Sequence, residues 1–243
     1  IVSDGWSMDL LSDELARTYR AMRAGQDPAL PAPAVRYVDV AAWQNARLDG
    51  ALREQQRYWL QTLSDLPPPL DLPADRARPA RRSGRGATAT RRVDDAQAEA
   101  LRALAKANGA TLYATLLAAF QVLLSRLSGS QDVVLGTPVA NRHHLDVEGV
   151  VGFFVNTLVL RARPQPEQSF DAWLRQVQSD VLRAIAHQDY PFDQLVELLQ
   201  PERDLSRTPL FQTMFALRNQ GVEPPLVDLG DVRARGLPLL DNE

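Results

Sequence analysis

Apolar positions three and four apart mark most of the helices in this chain. Over 7–23, Leu10, Leu11, Leu15 and Tyr19 share one face, with Ser7 as the expected N-cap and Gly25 as the stop. DPALPAPA then reads as a proline-punctuated connector. A second helix, half-exposed because Arg, Gln and Glu interrupt it, is expected from about Tyr37 to Leu63. LPPPLDLPADRARPARRSGRGA, at 66–87, is rich in proline and arginine, favours an extended path and marks a lobe boundary.

Beyond the linker, TATRRV reads as a strand leading to Asp94, which with Gln97 has the spacing of a capping box. The helix that follows buries Leu101, Leu104 and Ala105 and ends at Asn108-Gly109. Over 111–128, Leu112, Leu116, Leu117, Phe120, Leu123, Leu124 and Leu127 make a broad apolar face. Alanines widen it, so this helix is expected to be almost wholly buried. DVVLGTPVA is a short buried strand and FFVNTLVLRAR alternates as a strand does. Ser169 caps a helix carrying Phe170, Trp173, Leu174, Val177, Val181 and Ile185, Pro191 opens a short one, and LFQTMFAL is a last strand. This alternation predicts α/β layering around a mixed sheet.

Composition adds exclusions. A net charge of −3 gives no surface for phosphate backbones, so nucleic acid is not an expected partner. Lys106 is the only lysine against many arginines, a bias of coding rather than of chemistry. Without cysteine there is no disulfide, thiolate metal site or cysteine nucleophile, which fits a reducing, cytoplasmic setting. The longest apolar stretch, LYATLLAAFQVLL, is too short to cross a membrane, and Ile1 opens no signal peptide.

Five strings in order, IVSDGWS (1–7), YVDVAAW (37–43), VGFFVNTLVLR (151–161), HQDYPFD (187–193) and RDLSRTPL (203–210), resemble the later core motifs of condensation domains from nonribosomal peptide synthetases. The resemblance covers residues 1 to about 219. It implies the chloramphenicol-acetyltransferase-like fold, two α/β lobes in a V around a tunnel. Residues 1–65 would end the N-terminal lobe, 66–87 link, and 88–219 form the core of the C-terminal lobe. Residues 220–243 are an unassigned tail. The family's motif is two histidines, three variable residues, then Asp-Gly. Asp4-Gly5 follow Ile1-Val2-Ser3, so both histidines fall ahead of Ile1, and this stretch is expected to be inactive alone. His143-His144, with Glu148-Gly149 after them, imitate the motif but lie in a connector expected to face solvent.

The implied reaction joins an acceptor amine on one carrier-protein thioester to the acyl group of another, for example in peptide antibiotic or siderophore synthesis. Its partners are donor and acceptor peptidyl carrier proteins and an adjacent adenylation domain. The domain binds no cofactor directly, since the phosphopantetheine arms belong to the carriers. Asp4 would hold the motif loop by pairing with an arginine, and Arg142 is the candidate, against the alternative that Arg142 is merely exposed. Gly5 either makes a turn or presents its N–H to an oxyanion. Trp6 reads as core packing. Asn156, an amide in an apolar strand, bonds either substrate or backbone. His187 and Gln188 cap the long helix, and Arg203, Asp204 and Arg207 form an ion network near the tunnel. SDGWSM and MFALRNQ lean toward joining an L-donor to an L-acceptor. An epimerase, a heterocyclase, a related acyltransferase and an inactive condensation-like platform remain alternatives.

Overall fold

The computed structural model describes residues 2–48, 50–201, 204–218, 226–230 and 232–235. Contacts divide the chain into two compact units that do not follow chain order. Among the described residues, one joins those up to Arg53 with Ala140–Asn156 and those from Arg218 on; the other joins Glu54–Val139 and Thr157–Leu217. The division read from sequence at 65 and 88 follows the linker's composition. Packing instead places Trp59 and Leu63, each 1% exposed, in the second unit.

In the first unit, α1 spans Gly5–Arg23. Its N-cap is Asp4 rather than the expected Ser7. Asp4 has extended backbone, and its Oδ1 accepts the Ser7 N–H at 2.9 Å. Arg20 and Arg23 in the last turn oppose the negative end of the helix dipole. α2, Tyr37–Leu48, stops where the single helix to Leu63 was expected to continue. The N–H groups of Gly50 and Leu52 both bond Arg47 O, and the turn buries Leu52 at 2%. Val40 of α2 packs with Val147, Val150 and Phe154, and with Val35 and Tyr37 beside them. α6, Leu145–Glu148, supplies Val147 to this cluster. Gly152 is required here, because a Cβ would lie 2.3 Å from the Tyr37 ring.

The second unit begins at Glu54, the second residue of α3, Arg53–Thr62, followed after the linker by α4, Asp95–Ala107, and α5, Leu112–Ser128. β1, Val133–Val139, pairs with β2, Asn156–Ala162, and α7, Phe170–Ala186, packs on α5. α8, Phe192–Leu199, opens after Pro191. Asp94, Thr111 and Ser169 cap their helices through side-chain oxygens. In the first unit, β3, Leu226–Asp228, and β4, Arg233–Arg235, form an antiparallel pair.

Three strand readings change. Leu158, Val159 and Leu160 are all buried, so β2 does not alternate and is covered on both faces. TATRRV is exposed and outside any strand; Val93, its one large apolar side chain, is 54% exposed and has no sheet face to cover it. LFQTMFAL contributes one parallel bridge, Met214 to Gly136, after Leu210 turns through a φ of 65°. α5 is less buried than expected, with Leu123 at 50% and Leu127 at 52%. The linker is held at points: Leu70 N–H donates to Gln212 Oε1 at 2.8 Å, and Arg78 Nη1 to Ser206 O at 3.3 Å.

Gly136 lies under the Phe211 ring, where a Cβ would sit 2.4 Å from Cζ. Gly136→Ala therefore lowers unfolding stability by about 1–3 kcal/mol through overpacking. Phe211→Leu in the same chain restores part of the loss. A denaturation midpoint unmoved by Gly136→Ala would mean that the ring yields freely.

Candidate functional site

Asp4, Ser7, Arg142 and the backbone at Gly152–Phe154 converge in the first unit. Asp4 and Ser7 arrive on the first turn of α1; Arg142 follows Asn141, whose φ of 53° turns the chain after β1. Arg142 Nη2 reaches Asp4 Oδ1 at 3.1 Å, and each side chain is 1% exposed. The same nitrogen lies 3.0 Å from Ser7 Oγ and 3.3 Å from Gly152 O, while Nη1 donates to Val147 O and Val150 O at 2.7 Å each. Arg142 Nε is buried without a hydrogen-bond partner among the described residues. The guanidinium carbon instead stands 4.0 Å from the centre of the Phe154 ring, which adds cation–π attraction.

Both Asp4 oxygens are occupied. Oδ1 accepts from Ser7 N–H and Ser7 Oγ, and Oδ2 accepts the Phe154 N–H at 3.1 Å. Burial pushes this carboxyl up. The Ser7 backbone and hydroxyl donors, the Phe154 N–H and the Arg142 charge together outweigh burial and hold it below the usual carboxylate range. Such a group is poorly suited to take a proton near neutral pH. It fixes the start of α1 against the chain at 152–154. Among the described residues, no three His, Cys, Asp or Glu converge to hold a metal.

The family model described as "Condensation domain" matches residues 1–232. The chain belongs to the condensation-domain family. It is 45% identical over 220 residues to tyrocidine synthase 3 of Brevibacillus parabrevis, covering 90% of this chain and 3% of that protein. It is 45% identical over 224 residues to malpibaldin synthetase of Mortierella alpina, covering 92% and 4%. Among solved structures, the X-domain from teicoplanin biosynthesis superposes with a TM-score of 0.81 at 32% identity, covering 88% of this chain and 49% of that one. The first condensation domain of the calcium-dependent antibiotic synthetase, in complex with substrate analogue 3a, gives 0.69 at 28%, covering 95% and 49%. The chain thus spans a few per cent of these synthetases and about half of these solved domains. Its fold is the chloramphenicol-acetyltransferase-like α/β fold of condensation domains.

Within this condensation-domain chain, the other singled-out residues lie apart from the network or at its rim. Gly5 is the first residue of α1 with open space at its Cβ, so neither close approach nor left-handed backbone demands glycine there. Trp6 is not core packing: it is 44% exposed, its indole N–H donating to Glu148 O at 2.9 Å with the ring outside Arg142. Asn156 opens β2 half-buried. His143 and His144 are exposed, and His144 stands edge-on to Trp43.

In the second unit, His187 ends α7, stacked on Tyr58 at 3.9 Å with Nδ1 2.7 Å from Arg183 O. Gln188 follows in the turn, its N–H on Ile185 O. Arg207 pairs with Asp204 at 3.5 Å, and Arg203 lies outside the described residues. A cavity of about 250 Å³ between α3, α5, β2 and α7 is lined by Val159, Leu160 and Arg161 of the VGFFVNTLVLR string, but by none of the candidate site residues.

Two arrangements went unseen in the sequence. Gln55, Gln56 and Trp59 of α3 bond Asp189, Tyr190 and His187 O and so fix the HQDYPFD turn. The Arg161 side chain is 7% exposed and pairs with Asp132 at 2.7 Å while donating to Thr62 O, Ser64 O and Asp65 O. A charge inside VNTLVLRAR was its available signal.

Proposed function

We propose that this chain is part of a condensation domain that forms an amide bond between a donor acyl or peptidyl thioester and an acceptor aminoacyl thioester. Each substrate is presented on the phosphopantetheine arm of a peptidyl carrier protein, with an adenylation domain adjacent in a cytoplasmic synthetase. The observation that carries this reading is the sealed Asp4–Arg142 pair at the Asp-Gly end of the motif, in a chain 45% identical to tyrocidine synthase 3. Holding two tethered reactants in line makes their encounter nearly unimolecular. In this reading the second motif histidine, ahead of Ile1, orients or deprotonates the amine or stabilises the charged intermediate. Asp4 acts through loop geometry and not as a base. The donor and acceptor are both L-configured, and the span 1–243 alone is inactive.

The test is dipeptide formation by the parent synthetase, with both carriers loaded with labelled amino acids. Alanine at the second motif histidine lowers the rate by about 10²–10⁴-fold, the range for a lost acid–base group. A parent that transfers no acyl group overturns the reading. It would favour the second one, a condensation-like platform for partner enzymes. That reading is supported by the solved complex of the X-domain and OxyB from teicoplanin biosynthesis, whose X-domain superposes on this chain with a TM-score of 0.81.

A further inference from the structure

We infer that Ser7 is a positioning residue for the condensation reaction, pinning Gly152 to the first turn of α1 through its hydroxyl. This rests on the amide-forming function proposed above. Ser7 is 0% exposed, and its Oγ has four polar neighbours: Asp4 Oδ1 and Gly152 O at 2.8 Å, and Gly152 N and Arg142 Nη2 at 3.0 Å. A hydroxyl accepts twice and donates once. The Gly152 N–H and Arg142 Nη2 fill its acceptor sites, and its single proton goes to Asp4 or to Gly152 O. Arg142 Nη2 faces the same two acceptors, at 3.1 Å and 3.3 Å. Whichever acceptor the serine proton leaves, the guanidinium supplies, so the four groups close as one unit.

Ser7 differs from its charged neighbours in what it ties. Phe154 is joined to α1 by Asp4, but both backbone groups of Gly152 are joined to α1 by the serine. Tyr37 closes the other side of Gly152, its ring against the glycine and its hydroxyl donating to Phe153 O at 2.9 Å. Phe153, between the two anchored residues, is 52% exposed, while Phe154 is buried on Arg142. The serine therefore sets where the exposed Phe153 face lies relative to Asp4-Gly5, the end of the motif next to the reacting groups. Removing the hydroxyl leaves the Asp4–Arg142 ion pair and the Arg142 contact with Gly152 O in place, and takes from the Gly152 N–H its acceptor on α1. A displacement of about 1 Å at such a position lowers turnover about 100-fold.

The experiment compares Ser7→Ala and Ser7→Thr with wild type in the full parent synthetase. Amide formation is followed in single turnover, with acceptor concentration varied, and hydrogen exchange is measured at the Gly152 and Phe154 amides. Ser7→Ala lowers kcat about 100-fold with KM for the acceptor carrier unchanged. It deprotects Gly152 while leaving Phe154 protected, and Ser7→Thr recovers most of the rate. A stable Ser7→Ala protein with wild-type kcat overturns the inference while leaving the proposed function standing. An inactive wild type overturns both. If Ser7→Ala does not fold, Ser7→Thr decides: a folded threonine variant with its hydroxyl in place and kcat still about 100-fold down also overturns the inference.

Discussion

Replacing Arg142 by glutamine lowers the free energy of unfolding of the first unit by about 3–5 kcal/mol, the cost of leaving one member of a buried ion pair alone. Domains of this kind are stable by about 5–15 kcal/mol, so the change threatens folding. Asp4 would keep its Ser7 and Phe154 donors but lose its counter-ion, and the carbonyls of Val147 and Val150 would lose 2.7 Å donors. Asp4→Asn alone is costly for the reverse reason, a guanidinium left 1% exposed without a carboxylate. The double variant removes both charges and loses less than the sum by about 0.5–3 kcal/mol. Strictly additive losses in urea denaturation would show that the two side chains do not depend on each other.

The same pair fixes the sign of an acid dependence. The Asp4 carboxyl titrates lower in the folded chain than the value of about 3.9 in unfolded peptides. Its contribution is present in full above about pH 4 and is lost as pH falls through the folded value. Arg142→Gln weakens that dependence without abolishing it, because Ser7 and the Phe154 N–H still hold the ionised form. Unfolding midpoints between about pH 2 and 6 report it.

Trp59→Ala costs the second unit about 3–5 kcal/mol. The indole is 1% exposed, lies edge-on to Tyr58 at 4.9 Å, and donates to His187 O at 2.9 Å. Trp59→Phe separates volume from hydrogen bond: it keeps an aromatic ring and leaves the His187 carbonyl unpaired, for about 1–3 kcal/mol. Thermal unfolding of the pair checks this. Equal losses in the two variants would assign the whole effect to the hydrogen bond and none to the ring.

Long periodic runs were legible in the sequence, and single polar partners were not. α5 and α7 carry apolar stripes along their whole length, and Ser169 sits where a cap must be, so neither needed tertiary information. The start of α1 was less determinate, because Asp4 and Ser7 are both good caps three residues apart. The extended backbone of Asp4 decides between them. The break after Leu48 was hidden in a polar run whose one strong demand is the burial of Leu52. At the candidate site, Asp4 and Arg142 stand 138 positions apart, and it was the family motif that pointed to the pairing. Ser7 looked like an ordinary cap because its partners at Gly152 are backbone atoms, which no residue pattern displays.

Arg161 carries a consequence for how the chain assembles during synthesis. The carbonyl oxygens of Thr62, Ser64 and Asp65, at the end of α3, are satisfied by a guanidinium up to 99 positions downstream. On a ribosome adding about 5–20 residues per second, α3 waits about 5–20 s after its own emergence for that partner. Until then its end must be held by water, and the helix frays. Pauses in translation between residues 62 and 161 therefore prolong the exposure of these carbonyls, and Trp59 waits longer still, for the carbonyl of His187, 128 positions on.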